Sequence, residues 1–149
     1  MKNITPARQL AVALARFSPE VVKVAKIARA KMRGRMPRAI EMVYDNYAAL
    51  VIGYSPNERP SEAILSIVIF PRWVTICLTQ GKHLPDPQRL LKGNGNQVRT
   101  FRLDAGAAIL DTPGVRTLVS EAIKFSGIPF KGPHQLVIRA IAKKQRPRR

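Results

Sequence analysis

The stretch Lys92-Gly93-Asn94-Gly95-Asn96 offers the most suggestive chemistry in this chain. Glycine permits close approach and unusual φ, so Gly93 and Gly95 can present backbone N–H groups to an oxyanion. Lys92 and Arg99 would flank that anion as cations. The chemistry is phosphate recognition, but not that of a P-loop. The Gly-Lys-Ser/Thr ending is missing, and the loop precedes a strand rather than a helix. A helix C-cap followed by a hairpin-like loop would use the same residues, and both roles stay open. A second set combines Tyr44, Tyr47, Arg72 and Trp73, with Asp45 between the two tyrosines. Aromatic faces beside a cation can stack a flat ligand. The plainer role for the same set is a core with Trp73 and one tyrosine half buried.

Other chemistries find fewer residues. Hard metal sites need clustered carboxylates or histidines. Apart from Glu58 and Glu62, in a turn-rich stretch, no two acids fall three or four apart on an expected helix. His83 and His134 lie far apart beside Lys82 and Lys131, which repel a cation, so packing roles are expected for both. Cys77 sits in an apolar run, where a thiol behaves as a small buried hydrophobe with a raised pKa. No Gly-x-Ser-x-Gly elbow exists, and no residue set presents itself as catalytic. Neither a metal nor a cofactor is expected.

Charge is the strongest global signal. The 149 residues carry 26 Lys+Arg against 9 Asp+Glu, a formal +17. Residues 1–38 hold ten basic residues and one acid, a net +9. Residues 39–130 hold nine and eight, a net +1, and residues 131–149 hold seven basic residues and no acid, a net +7. A nearly neutral body thus carries two cationic ends, a pattern that raises affinity for polyanions without sequence information. Lys143, Lys144, Arg146, Arg148 and Arg149 are the candidates for non-specific nucleic-acid contact. A solvated, solubilising surface would show the same charge. The single cysteine excludes a disulfide framework and fits a reducing compartment. Residues 10–15 form too short an apolar run for a signal peptide, so the cytoplasm is the expected location.

Local signals set the elements that must position these groups. Thr5-Pro6, Ser18-Pro19 and Thr112-Pro113 are helix starts, a capping residue followed by proline. In the second helix Val21, Ala25, Ala28 and Met32 form an apolar stripe, with Lys23, Lys26, Arg29 and Arg33 on the other side. Val115, Leu118, Val119 and Ala122 form the stripe of the third, which Gly127 ends. Residues 39–54 read as a hairpin, and residues 64–70 and 73–79 as two strands about a tight Pro71-Arg72 turn. Apolar residues on both faces of those strands predict cover on both sides of the sheet, at least in part. Asp86-Pro87 predicts a short helix to Lys92, residues 98–103 a strand, and residues 136–141 a last strand. The order gives an α+β domain of two layers, a mixed or antiparallel sheet of about five strands packed against helices.

Tyr44-Asp45-Asn46-Tyr47, Phe70-Pro71-Arg72-Trp73, Leu84-Pro85-Asp86-Pro87, residues 90–95 with Val98-Arg99, and Val137-Ile138-Arg139 with the basic terminus resemble the YdhG-like family. This is a group of small bacterial domains of unknown function, some of which are regarded as frataxin-like iron chaperones. The resemblance divides the chain into a basic helical segment (1–35), a YdhG-like α+β domain (36–142) and a basic tail (143–149). It implies a two-layer α+β fold and no established reaction. Two functions follow as expectations. One is a non-enzymatic cytoplasmic domain that binds an anionic ligand, a phosphorylated molecule or nucleic acid, away from any membrane. The other is an iron carrier of the frataxin-like kind.

Overall fold

Proline opens each of the three α-helices among the described residues. In the computed structural model, which describes residues 4–45 and 48–140, α1 (Pro6–Leu14), α2 (Pro19–Arg35) and α3 (Pro113–Ser126) each carry it at the start. Its fixed φ suits the first turn, and its missing N–H removes a donor that has no intrahelical partner there. Thr5 and Thr112 complete two of these starts, their hydroxyls accepting from the N–H of Arg8 and Val115. Gly127 closes α3 at φ 65°, a left-handed conformation that glycine adopts without strain.

Six strands form one mixed sheet: β1 (Ile40–Asp45), β2 (Leu50–Ser55), β3 (Leu65–Ile69), β4 (Val74–Leu78), β5 (Arg99–Arg102) and β6 (Gln135–Ala140). Their spatial order is β5-β4-β3-β2-β1-β6, antiparallel throughout except for the parallel pair β1 and β6. The fold is α+β, a sheet packed against helices, and its six strands fall where the sequence placed them. Leu10 and Phe17 from the α1 region, Ala25 and Met32 from α2, and Leu118 from α3 share one core with Ile52, Ile67 and Ile76. The basic N-terminal segment is therefore built into the same core as the strands.

One expectation needs correction. Residues 86–92 form no helix: both carboxylate oxygens of Asp86 accept backbone N–H groups, from Leu90 and Leu91, each at 2.9 Å. Arg89 turns to φ 52°, which no α-helix tolerates. Pairing aligns Met42, Gly53, Ser66, Cys77 and Thr100 across the face that points away from Ile52, Ile67 and Ile76. Met42 in that row is fully buried and Ser66, Cys77 and Thr100 are half-buried, so this face too is covered in part.

Candidate functional site

Beneath α2 lies a carboxylate with no exposure at all. Strand alternation turns Glu41, like Val43, toward the helices, and its relative exposure is 0%. Arg29 of α2 meets it through two parallel bonds, Nε to Oε2 and Nη2 to Oε1, both 2.9 Å. The Tyr54 hydroxyl, directly across from Glu41 in β2, donates to Oε2 at 2.7 Å. His134, just before β6, places Nε2 at 2.8 Å from Oε1. Facing an ionised carboxylate, that nitrogen must carry the proton. Arg33 adds a more distant charge, 3.9 Å away.

The electrostatics follow from these contacts. Burial pushes the Glu41 carboxyl up, but hydrogen bonds from Arg29, Tyr54 and His134 outweigh it and hold the group below the usual carboxylate range. Burial, and then the adjacent Glu41 charge, push the Tyr54 phenol well up, so it stays a donor. A carboxylate accepts at about four lone-pair positions, and Arg29, Tyr54 and His134 take them all. No acceptor is left for a metal or for a substrate proton. Glu41 instead pins α2, β2 and the entry to β6 onto β1, and fixes where the Arg29 guanidinium stands.

Above Arg29 a cleft of about 260 Å³ opens between α1 and α2. Lys26, Arg29 and Arg33 form one wall, and Leu10 and Leu14 lie at its base with alanines beside them. The lining contains no carboxylate. Spacings of three and four residues place these cations on one helix face. The sequence showed them as a basic stripe; it did not show the cleft that they border.

The structure separates the residues read from the sequence. Asp45 pairs with Leu50, Leu50 with Ile69 and Ile69 with Val74, so Tyr44, Asp45, Arg72 and Trp73 stand at one end of the sheet, at neighbouring turns. Tyr54, Leu65, Leu78 and Arg99 align at the other end, with the glycine loop. Four steps along a strand, about 13 Å, separate the two groups. Tyr44 is half-buried, its hydroxyl 3.7 Å from Met42 Sδ. Asp45 pairs with Arg16 at 3.9 Å. Trp73 is half-buried, stacked on Phe70 at 5.0 Å, with the Arg102 guanidinium 4.3 Å from its ring centroid. Arg72 beside it is exposed and borders a smaller cleft of about 160 Å³.

In the loop, Gly93 sits at φ 121°, where a side chain would be strained. Lys92 joins the outer edge of β5, exchanging backbone bonds with Thr100 at 2.7 and 2.9 Å. Arg99 Nη1 donates to the carbonyls of Gly95 and Val98 at 2.8 and 2.7 Å. This guanidinium is engaged by the loop itself. Lys143, Lys144, Arg146, Arg148 and Arg149 lie outside the described residues, as does Tyr47.

Burial pushes the Cys77 thiol up. His83 stacks on Phe125 at 5.1 Å. Among the described residues no three His, Cys, Asp or Glu side chains gather closely enough to hold a metal ion, and no helix is long and apolar enough to cross a membrane. Comparison with known proteins gave no matching family model, no matching curated protein and no matching solved structure.

Proposed function

We propose that this protein is a non-enzymatic binding domain for an anionic partner, engaged at the cleft between α1 and α2. One observation carries the reading: Lys26, Arg29 and Arg33 share a wall of a cleft whose lining holds no carboxylate. Two facts about chemistry support it. The buried acid nearby has its acceptor positions filled by Arg29, Tyr54 and His134, and the Cys77 thiol is held protonated by burial. The formal charge of +17 adds long-range attraction for such a partner. Kinship with the YdhG-like domains, carried by the sequence motifs, is part of this proposal.

A fluorescently labelled single-stranded oligonucleotide serves as a polyanion probe. Its affinity, followed by anisotropy across a salt series, is compared between the wild type and the double variant Lys26→Gln, Arg33→Gln. Each lost phosphate contact removes about 0.7 from the slope of log affinity against log salt. The double variant should lose about 1.4. A control with two exposed charges removed elsewhere, Arg59→Gln with Lys124→Gln, should keep its slope. An unchanged slope in the cleft variant, or an equal loss in the control, overturns the reading.

A further inference from the structure

A helix on the outside of a protein normally turns a polar face to water. α1 does so mainly through Arg8. Leu10, Ala13 and Leu14 are buried, and the outward side carries Ala7, Ala11 and Val12 beside Arg8, Val12 being 47% exposed. Ile4 before the helix is 56% exposed, and Ile27 of α2 is 40% exposed. The cleft between the two helices is lined by Ala7, Leu10, Ala11, Leu14 and Ala30, an apolar groove edged by cations.

We infer that this groove docks an acidic amphipathic helix of a partner protein, which rests on the anionic reading above and names the partner's class. Three features converge on that occupant. The groove is concave and lies between two helices, the shape a third helix fills. Ala7 and Ala11, one turn apart on α1, and Ala30 on α2 are all exposed and line it. Such small side chains let another backbone approach to the 8–10 Å typical of packed helices. Apolar residues of the partner at i, i+3, i+4 and i+7 then cover Ala7, Ala11 and Ala30, while acids on its flank meet Lys26 and Arg33.

Charge and shape reject the competitors. A second copy brings +17 against +17. A membrane surface receives a protruding apolar face rather than filling a groove. A nucleic-acid backbone satisfies the cations but leaves the apolar surface in water. α1 has nine residues, about 14 Å at 1.5 Å per residue, so about ten partner residues make contact.

The test uses the full chain and a set of labelled peptides of about 18 residues, with Leu or Ile at i, i+3, i+4 and i+7 and Glu on both flanks. Comparators are the same peptides with Lys for Glu, the same compositions scrambled, and the labelled oligonucleotide. The acidic amphipathic peptides should bind with micromolar affinity and gain helix by circular dichroism. The Lys-flanked and scrambled forms should bind at least about ten-fold more weakly. Ala11→Gln, at an exposed position, should lower peptide affinity about ten-fold while leaving the melting temperature unchanged. Equal binding of scrambled peptides, or no effect of Ala11→Gln, overturns the inference. Oligonucleotide binding through Lys26 and Arg33 without peptide binding overturns it too, yet leaves the anionic reading standing. If the double variant Lys26→Gln, Arg33→Gln alters binding of neither probe, the anionic reading itself falls.

Discussion

Removing the Glu41 carboxylate should expose how much of the fold hangs on one buried charge. Glu41 is wholly buried and accepts from Arg29, Tyr54 and His134. In Glu41→Ala the Tyr54 hydroxyl, in a residue at 0% exposure, loses its acceptor and cannot reach water, a cost of about 1–3 kcal/mol. Arg29 is 25% exposed along its side chain, so its charge is partly rehydrated. A broken buried pair costs about 3–5 kcal/mol, and this exposure argues for the lower part of that range. The expected total is about 4 kcal/mol, a large share of a small domain's stability. Glu41→Gln keeps one acceptor and the volume, and should cost about 2 kcal/mol.

Urea denaturation followed by circular dichroism measures both variants, with the slope checked for constancy. A cycle with Tyr54→Phe then isolates the pair. Alone, Tyr54→Phe should cost about 1 kcal/mol; in the Glu41→Ala background it should cost nothing, because the hydroxyl it removes is already orphaned. Acid provides a second readout. The Glu41 carboxyl is held below its ordinary range in the folded protein. Its contribution is thus present above the unfolded value, about 4.3, and is lost as pH falls through the lower folded value. Asp111, held down by a hydrogen bond from Lys31, acts in the same window. Wild-type stability should fall below about pH 4.3, and Glu41→Gln should flatten only part of that fall. A loss under 1 kcal/mol in Glu41→Ala, with full additivity in the cycle, would refute the reasoning.

Arg99→Ala should cost about 1 kcal/mol by freeing the Gly95 and Val98 carbonyls, and should leave oligonucleotide affinity unchanged by anisotropy. Gly81→Ala should destabilise by about 1–3 kcal/mol in urea, because its Cβ would stand 2.5 Å from Arg99 Cβ. Trp73→Ala should cost about 2–3 kcal/mol, below a fully buried tryptophan, since the ring is half-buried against Phe70 and Arg102. Deleting residues 143–149 removes five cations and should lower the single-strand salt slope by up to about 3.5, with the melting temperature unchanged. Anaerobic calorimetry with Fe(II) should find no saturable site tighter than about micromolar; a tight site would favour the iron-carrier expectation.

The elements legible in the sequence are those whose cause is local. Pro6, Pro19 and Pro113 mark helix starts because proline and the capping residue before it act within one turn. Residues 64–79 read as paired strands because β-branched runs flank a two-residue turn. Asp86-Pro87 shows the limit of that logic. It carries the same signal as Thr112-Pro113, yet only five residues separate Pro87 from Gly93. So short a stretch cannot offset helix nucleation. Asp86 then finds a better use for its oxygens on the N–H groups of Leu90 and Leu91.

The candidate site was legible in its charges and hidden in its partners. Lys26, Arg29 and Arg33 stood out as a stripe, but a stripe on one helix cannot show whether it faces water or borders a cleft. The missed residue was Glu41, and a signal for it existed. Ile40-Glu41-Met42-Val43 places an acid inside an apolar strand, and alternation assigns it to the same face as Val43. A buried acid needs donors, and that demand alone predicts a cation or hydroxyl facing it. Which donors arrive depends on how distant parts of the chain pack: Arg29 lies 12 residues away, Tyr54 13 and His134 93. Once Glu41 holds Arg29 by both inner nitrogens, that arginine cannot swing freely as a surface side chain would. The cleft then presents a fixed charge, and a fixed charge loses less entropy on binding. Arg29→Lys should therefore weaken polyanion binding although it keeps the charge, because lysine cannot make the paired bonds that hold the position.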